Sequence, residues 1–414
     1  MKKLVLFVLT FLMIISFNAC KEEDTKNIDE DKKEEMLTEM DFDKIIESAS
    51  NKDVYFYGWG GDSKINKWLD EYIKPRMKEK YNINFNRVPM NIDVILSKLL
   101  NEKALNEDGS IDIVWINGEN FYSAKENDLL YGPFLESLPN AKKYLDFESR
   151  DINYDFGFEI EGYESPFGKA QFVLIGDEAK IKLPKNHKEL LELAKNNKGK
   201  ITYPIPNDFV GSAFIRSLAS DIISYDELVN LEPNYEIVKE KLKPLTNYLN
   251  ELEPYLWNEG KTYPYTSTQL ENMYQDNEVL ISMSYNPNRV ALKIKDNSFT
   301  DTSKAFVFDS GTVSNTHFLA IPKNAKNKKG ALVFINEILS LEVQASKFDT
   351  KNWGDLPALS NSKLSKEDIT VLQSIKQGQG TINIEELQSK QIPELNAKLI
   401  PIIEQVWEDE VLNK

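Results

Sequence analysis

Three short apolar segments alternate with three amphipathic segments between residues 53 and 130, and this order constrains the fold more than any other feature. The apolar segments read DVYFYG from Asp53, INFNRVPM from Ile83 and IDIVWIN from Ile111. Helical periodicity follows each of them, over residues 64–81, 93–105 and 119–130. A β-α-β-α-β-α order predicts a parallel sheet with helices on its faces.

A similar alternation resumes after residue 186. A helix is expected over His187–Asn196, a strand at ITYPIP from Ile201, a helix over Gly211–Ile223 and a strand at VLISMSY from Val279. The chain without its first segment, roughly 360 residues, exceeds the size at which single cores usually stop growing. Two α/β lobes are therefore expected, and the absence of a fixed-period sequence repeat argues against a solenoid.

The first 50 residues are expected to lie outside the folded body. Lys2 and Lys3 precede an apolar run, Leu4–Phe17, that is typical of a secretory signal peptide and too short for a stable membrane span. Cys20, the only cysteine, follows Ala19 and resembles the acylated (palmitate-bearing) cysteine of a bacterial lipoprotein. A plain secreted protein cut near Ala19 and an uncleaved anchor are the alternatives. Residues 21–50 are highly charged and are predicted to form a flexible tether.

Polar, glycine and aromatic residues follow several of the expected strands. In open α/β sheets, ligands bind beyond the carboxyl ends of strands, where helix N-termini expose N–H groups. The candidate ligand-binding residues are Trp59, Gly60, Gly61, Asp62, Asn117, Glu119, Asn120, Phe121, Asp208, Phe209, Gly211, Ser212, Tyr285, Asn286, Asn288, Ser310, Gly311, Thr312, Asn315 and Trp353. Each turn alone is equally typical of ordinary turn and cap formation. Trp68 and Trp115 are interpreted as core residues.

The segments YGWGGDSKINKWLDEYIKPRMKEKYNINF, IDIVWINGENF and LLYGPF resemble bacterial extracellular solute-binding proteins, in particular their YnjB-like branch. A looser resemblance continues through SYNP and THFLAIPKNAKNKKGALVFINEIL. The resemblance implies the type II periplasmic binding protein fold, an α/β architecture with two discontinuous lobes. Each lobe is expected to contain a mostly parallel sheet flanked by helices. Mapped onto this chain, it implies lobe 1 over 51–163 and 313–349 and lobe 2 over 164–312 and 350–414, after the signal peptide expected over 1–20 and the tether expected over 21–50.

The resemblance also implies a function, the capture of a small solute between two lobes for an ABC importer. Crossover segments at ESPFGKAQFVLIGDEAKI and SGTVSNTHF would act as the hinge, and the permease and its ATPase would be the partners. The protein is expected to be a monomer held by its lipid at the outer face of the cell membrane, or in the periplasm of a Gram-negative host. The formal net charge of −16 argues against a nucleic-acid partner.

The aromatic candidates together with Asp62, Glu119 and Asp208 favour a nitrogenous organic cation or heterocycle as the solute. A carbohydrate and an oxyanion are the alternatives, because aromatic rings also stack on sugars and helix N-termini bind oxyanions. No metal or cofactor is expected, since no zinc-binding pattern and no pair of adjacent tyrosines occurs.

The sequence contains few residues in recognisable catalytic patterns, which argues against an enzyme. The chain has two histidines, His187 and His317, and no HExxH, G-x-S-x-G or P-loop motif. A secreted hydrolase that uses two carboxylates, and a surface sensor or adhesin without a transport role, are the remaining alternatives.

Overall fold

The computed structural model describes residues 41–414. The predicted signal peptide, Cys20 and the tether up to residue 40 lie outside this described part. The strands are β1 Asp53–Gly58, β2 Asn84–Pro89, β3 Ile113–Ile116, β4 Leu130–Tyr131, β5 Tyr154–Asp155, β6 Phe158–Glu159, β7 Glu164–Gln171, β8 Val173–Asp177, β9 Ile281–Ser284, β10 Ser303–Phe306, β11 Thr312–Pro322 and β12 Gln391–Pro393.

The helices cover much of the remaining chain. They are α1 Phe42–Ala49, α2 Ser63–Trp68, α3 Lys74–Tyr81, α4 Ile92–Ala104, α5 Gly118–Glu126, α6 Pro139–Tyr144, α7 Arg150–Asn153, α8 His187–Asn196, α9 Phe209–Ile222, α10 Tyr225–Leu228, α11 Tyr235–Lys241, α12 Lys243–Leu252, α13 Ser267–Gln275, α14 Arg289–Lys295, α15 Lys328–Ile338, α16 Leu341–Phe348, α17 Lys366–Gln373, α18 Ile384–Ser389 and α19 Ile400–Trp407. A π-helical turn, Leu69–Ile73, joins α2 to α3. Among the described residues, no helix combines the length and apolar character that a membrane crossing needs.

The large sheet has the strand order β12-β11-β3-β1-β2, and β4 and β7 also pair with β11. β1 runs parallel to both β2 and β3, as the sequence predicts. β11 is antiparallel to β3 and β7. The sheet is therefore mixed, and the carboxyl ends of β1, β2 and β3 lie at one edge.

Aromatic rings fill the core beside this sheet. Phe85 of β2 stacks on Phe334 of α15 with ring centroids 4.8 Å apart, and Phe56 of β1 lies 5.9 Å from Phe85. All three side chains are almost completely buried. Such burial contributes roughly 1.5–3 kcal/mol per large apolar side chain, so it holds helices on the face of the sheet.

The small sheet has the order β10-β8-β9, and both pairings are antiparallel. The expectation of a mostly parallel sheet in each lobe is therefore wrong for this sheet. The predicted strand ITYPIP does not join it; residues 201–205 have no regular secondary structure and make isolated backbone hydrogen bonds, such as Trp257 N–H to Ile201 O at 2.7 Å. Pro204 and Pro206 supply no N–H group for a ladder, which explains the difference.

The chain passes between the two sheets at two adjacent places. β7 belongs to the large sheet and β8 to the small sheet, with Phe172 between them. The return runs from β10 in the small sheet to β11 in the large one. The segment DSGTVSN, expected to be a polar turn, is a turn only up to Gly311, because Thr312 and Val313 already pair with β12 as part of β11.

The predicted tether is also too long at its carboxyl end. Residues 42–49 form α1, an amphipathic helix that buries Ile45 and Ala49 and packs against α15. A flexible segment was expected there because of the charge that precedes it, but apolar residues at helical spacing give this stretch a face to bury.

Candidate functional site

A cavity of about 590 Å³ lies at the carboxyl edge of β1, β2 and β3. Its lining residues come from β3 and β11 of the large sheet, from the segments that follow β1, β2 and β3, from the turn between β5 and β6, and from the first turn of α9. They are Trp59, Met90, Asn91, Ile92, Asp93, Trp115, Ile116, Asn117, Asn120, Phe156, Phe209, Asn315 and His317. Five of them, Trp59, Asn117, Asn120, Phe209 and Asn315, belong to the residues singled out from sequence. The size lies within the range of small-molecule sites in proteins.

Trp59 follows β1 and is 53% exposed. Gly60 and Gly61 do not line the cavity but set the position of this ring. A Cβ on Gly61 would collide with the Trp59 indole, and one on Gly60 would collide with Pro89 at the end of β2. The two glycines therefore let the indole fold back at the mouth of the cavity.

The exit of β3 places two asparagines at the cavity. Asn117 precedes α5 but does not cap it; its Nδ2 donates to Thr316 O at 3.2 Å. Gly118 has φ of +56°, which turns the chain into the helix and brings Asn120 to the lining. Phe121 is completely buried in the core and Glu119 is exposed, and neither lines the cavity.

The exit of β2 supplies lining residues that sequence reasoning missed, Met90, Asn91, Ile92 and Asp93. Asn91 precedes α4 and, like Asn117, makes no side-chain cap. These residues could have been predicted from the sequence, because β2 is a predicted parallel strand followed by a predicted helix, and ligands bind at such strand ends. Trp115, Ile116, Phe156 and His317 were also missed; Trp115 was interpreted as core, although it lines the cavity.

On the small-sheet side, Phe209 faces the cavity from the first turn of α9 and is 51% exposed. Its ring lies 4.7 Å from that of Tyr285, which is itself buried. The Tyr285 hydroxyl donates to Glu394 Oε1 at 2.7 Å, and burial raises the pKa of the Tyr285 phenol. The buried Tyr285 ring therefore packs against the exposed Phe209 ring and helps to fix its position.

Several other predicted site residues cap helices or pack closely against the backbone. Asp62 caps α2 by accepting from the N–H of Lys64 and Ile65, at 2.7 and 3.1 Å. Asp208 caps α9 in the same way and also accepts from Ser267 N at 3.0 Å. A Cβ on Gly211 would collide with the backbone that precedes α9. These residues shape the surroundings of the cavity without lining it.

The remaining predicted residues bind parts of the protein that lie away from the cavity lining. Ser212 Oγ donates to Glu404, Asn286 accepts from Asn288 N, Asn288 donates to Gly354 O, Ser310 donates to Asp221, and Thr312 donates to Phe172 O. Gly311 has φ of +96° and lies against Lys390 O. The polar groups of these residues hydrogen-bond within the fold, in line with the alternative of ordinary turn and cap formation.

A hydrogen-bonded cluster adjoins the cavity at His317. His317 Nε2 lies 2.8 Å from Asp355 Oδ2, and the same oxygen accepts from Lys347 Nζ at 2.8 Å. Burial by itself would raise the pKa of the Asp355 carboxyl, but His317 and Lys347 hold that pKa below its usual value. Trp353 does not line the cavity; it stacks on His317 at 6.0 Å with an interplanar angle of 8°.

A second buried acidic group lies beneath the start of α5. Asp155 and Glu164 are buried, and Asp155 Oδ2 accepts from Gly118 N–H. Asp155 Oδ1 and both Glu164 oxygens have no hydrogen-bond partner within residues 41–414. Burial raises the pKa of both carboxyls, and the proximity of Asp155 raises the pKa of Glu164 further, while Lys125 acts in the opposite direction. Burial and their mutual repulsion therefore disfavour simultaneous ionisation of the two carboxyls.

The chemistry of the lining is aromatic and amide-rich. Trp59, Trp115, Phe156 and Phe209 supply ring faces, and Asn91, Asn117, Asn120 and Asn315 supply amides. Of the described residues that line the cavity, Asp93 is the one carboxylate and none is a lysine or arginine. This set can stack on a planar or cyclic molecule and can accept hydrogen bonds from it.

Comparison with known proteins defines the class. Residues 71–372 match the family described as bacterial extracellular solute-binding protein, and the chain belongs to that family. Proteins of this class are binding proteins, exported from the cell, and they are the solute-binding components of ABC transporters.

Individual relatives support the same conclusion. The chain is 34% identical to Protein YnjB of Escherichia coli K12 over 338 residues, which cover 81% of this chain and 86% of that protein. An ABC transporter structure from Clostridium perfringens is 20% identical, with a TM-score of 0.59 and coverage of 86% and 98%. The GacH receptor of Streptomyces glaucescens, solved unliganded and with acarbose, is 13% identical, with a TM-score of 0.63 and coverage of 87% and 93%. The structural likeness establishes the type II periplasmic binding protein fold.

Proposed function

We propose that this protein captures a small nitrogenous organic cation or heterocycle in the 590 Å³ cavity and delivers it to an ABC importer. The observation that supports this solute class is the lining itself, which contains four aromatic rings, four amides and the carboxylate of Asp93, without a lysine or arginine among the described lining residues. Aromatic faces attract cations, and a carboxylate adds charge pairing.

A carbohydrate is the second candidate, because indole rings and side-chain amides also suit a sugar. The structural likeness to the acarbose-binding GacH receptor favours keeping it. A simple oxyanion fits less well, since four ring faces offer it no hydrogen bonds. The uncapped starts of α4 and α5 are the features that favour an oxyanion.

Capture is proposed to involve closure about the two crossings, β7 to β8 and β10 to β11. They are adjacent, and the cavity collects Trp59 from the large-sheet side and Phe209 from the small-sheet side. A solute that contacts both sides favours the closed state only as far as it binds that state better. Small-angle scattering with a bound solute should show a smaller radius of gyration; an unchanged radius would contradict closure.

The predicted lobes, 51–163 with 313–349 and 164–312 with 350–414, remain part of this proposal. So does attachment at the outer face of the membrane through an acylated Cys20, with the permease and ATPase as partners of a monomeric binding protein. Replacing Cys20 with serine should release the protein from the membrane fraction and leave its thermal unfolding unchanged. A variant that stays in the membrane fraction would exclude lipid anchoring.

The solute class is tested with four probes, putrescine, thiamine, maltose and sulfate, in a thermal-shift measurement followed by calorimetry. A probe present at 100 times its Kd should stabilise the protein by about 2.7 kcal/mol. Trp59→Ala should weaken binding, whereas Tyr265→Ala should not, because Tyr265 is exposed and does not line the cavity. Binding of sulfate alone would contradict the proposed class, and binding of maltose alone would favour the carbohydrate alternative.

A further inference from the structure

His317 lines the cavity, although its place in the sequence gave it no role. Its ring is held from two directions by other rings, Trp353 stacked at 6.0 Å and Trp115 at 5.6 Å. Its Nε2 lies 2.8 Å from Asp355 Oδ2, a residue that does not line the cavity, and a Cβ on Gly168 of β7 would lie only 2.8 Å from this nitrogen. The orientation of the imidazole is therefore fixed by the protein.

The chemistry of Asp355 decides which ring nitrogen of His317 bears the proton. Asp355 Oδ2 lies 2.8 Å from both Lys347 Nζ and His317 Nε2. Lys347 is completely buried and also donates to Phe167 O, so its charge is matched by that of Asp355. An ionised carboxylate can only accept hydrogen bonds, so the N–H of a neutral His317 lies on Nε2. The lone pair then lies on Nδ1.

We propose that Nδ1 of His317 accepts a hydrogen bond from the bound solute, and that Asp355 and Lys347 position it to do so. This inference depends on the proposed function and sharpens it, because it requires an N–H or O–H donor on the part of the solute that contacts His317. A cation that bears only methyl groups on nitrogen fails this requirement, whereas a primary amine, an aminopyrimidine and a sugar hydroxyl meet it.

The other histidine of the chain is an internal control. His187 lies outside the cavity lining, and its Nδ1 lies 2.6 Å from Asp221 Oδ2. The same reasoning gives His187 the opposite tautomer, with the proton on Nδ1. A single protein sample therefore contains one histidine of each kind.

The tautomers are measured on the full solute-free chain labelled with ¹⁵N-histidine, by long-range ¹H–¹⁵N NMR at about pH 9, where a free imidazole is neutral. One imidazole should show the Nε2–H pattern and one the Nδ1–H pattern, and His187→Gln should remove the second. An Nδ1–H pattern for His317 overturns the inference whether or not any solute binds.

The solute contact is tested with putrescine, thiamine and maltose, using whichever probe binds, in two glutamine variants. The amide nitrogen of glutamine reaches the position of Nε2, so His317→Gln can still donate to Asp355 but loses the acceptor at Nδ1. We expect the affinity to fall roughly 5- to 150-fold, as for one lost hydrogen bond, while a cooperative thermal transition shows that the variant is folded at the temperature of the binding measurement. His187→Gln should bind as the wild type does.

Unchanged affinity in His317→Gln, with a probe that binds the wild type, would overturn the solute contact and leave the proposed function standing. Failure of every probe to bind the wild type would instead overturn the proposed solute class, and with it the contact. In the bound wild type, the Nδ1 resonance of His317 should shift while both resonances of His187 stay in place.

Discussion

Asn117 and Asp208 occupy the same position, the residue before a helix that begins at the cavity, one on the large-sheet side and one on the small-sheet side. Asp208 binds its own helix and Ser267, so its carboxylate is used by the fold. Asn117 leaves its helix uncapped, donates Nδ2 to Thr316 O and lines the cavity. A polar residue before a helix is therefore a candidate contact when the helix itself does not use its side-chain oxygen as a cap.

The same contrast extends into the two helices. In α9, Arg216 makes two hydrogen bonds to Glu394, at 2.8 and 2.9 Å, and both side chains are buried. Below the start of α5, Asp155 and Glu164 are buried together, and within residues 41–414 neither forms a salt bridge. The middle of α9 is therefore anchored by a hydrogen-bonded ion pair, whereas the start of α5 lies over two buried acids.

The largest effect is expected from Glu394→Ala, which leaves the charge of Arg216 buried and unpaired. Loss of one partner of a buried ion pair costs about 3–5 kcal/mol, and chemical denaturation should show a decrease of this size in the free energy of unfolding. Glu71→Ala is the control, because Lys67 and Glu71 form an exposed pair at 3.7 Å that is worth under about 1 kcal/mol. Equal losses in the two variants would contradict the anchoring of α9.

The acid pair below α5 predicts a dependence of stability on pH. Because the folded-state pKa of both carboxyls is raised, their contribution is greatest at low pH and is lost as pH rises from about 4.5 through the raised pKa. Glu164→Gln should therefore become more stable relative to the wild type as pH rises from 5 to 8, by up to about 1.4 kcal/mol per pH unit for one proton. Glu159→Gln, at an exposed position, should follow the wild-type profile. Parallel profiles for all three proteins would exclude the coupled pair.

Asn117→Ala should weaken solute binding by about 1–3 kcal/mol, or roughly 5- to 150-fold, through the loss of one buried hydrogen bond. Calorimetry with the probe that binds measures this directly. The free energy of unfolding should fall by no more than about 1 kcal/mol, the usual net contribution of one hydrogen bond, because Asn117 does not cap α5 and its side chain makes one hydrogen bond within the described residues, to Thr316 O. A loss of stability without a loss of affinity would show that Asn117 serves the fold, as Asp208 does.

The smallest effect is expected from Asp208→Ala, with the opposite pattern. Removal of an N-cap costs about 1 kcal/mol of stability, with a range of roughly 0.5–2. Solute affinity should remain at the wild-type value, and Asp208→Asn should retain most of the stability because asparagine also caps well. A tenfold loss of affinity in Asp208→Ala would remove the distinction between the two helix starts.

Sequence reasoning was most successful where short-range patterns decide the structure. The β1, β2 and β3 strands and the edge at which they end follow from periodicity, and that edge carries Trp59, Asn117 and Asn120 to the cavity. The small sheet was harder, because two of its strands, β8 and β10, lie next to the crossings rather than in a β-α alternation. The prolines in ITYPIP were the available warning.

The residues that were missed depend on long-range pairing. His317 reaches the cavity because β11 pairs with both β3 and β7, and Phe156 does so from the tight turn between β5 and β6. No local pattern reports that Asp355 will meet His317. Met90 and Asp93 differ, since the strand-end rule applied to them as well as to Asn117.

β11 also constrains the order in which the molecule can fold. This single strand pairs with β3, β4, β7 and β12, whose sequences lie far apart on both sides of it. Non-local pairing slows folding, because loop closure must precede the contacts that reward it. β1 and β2 can pair early and form part of the sheet edge at the cavity. Asn315 and His317 reach the cavity lining only after β11 has entered between β3 and β7. Solute binding therefore requires that β11 has joined the large sheet, and we expect recovery of binding to lag behind recovery of helix during refolding.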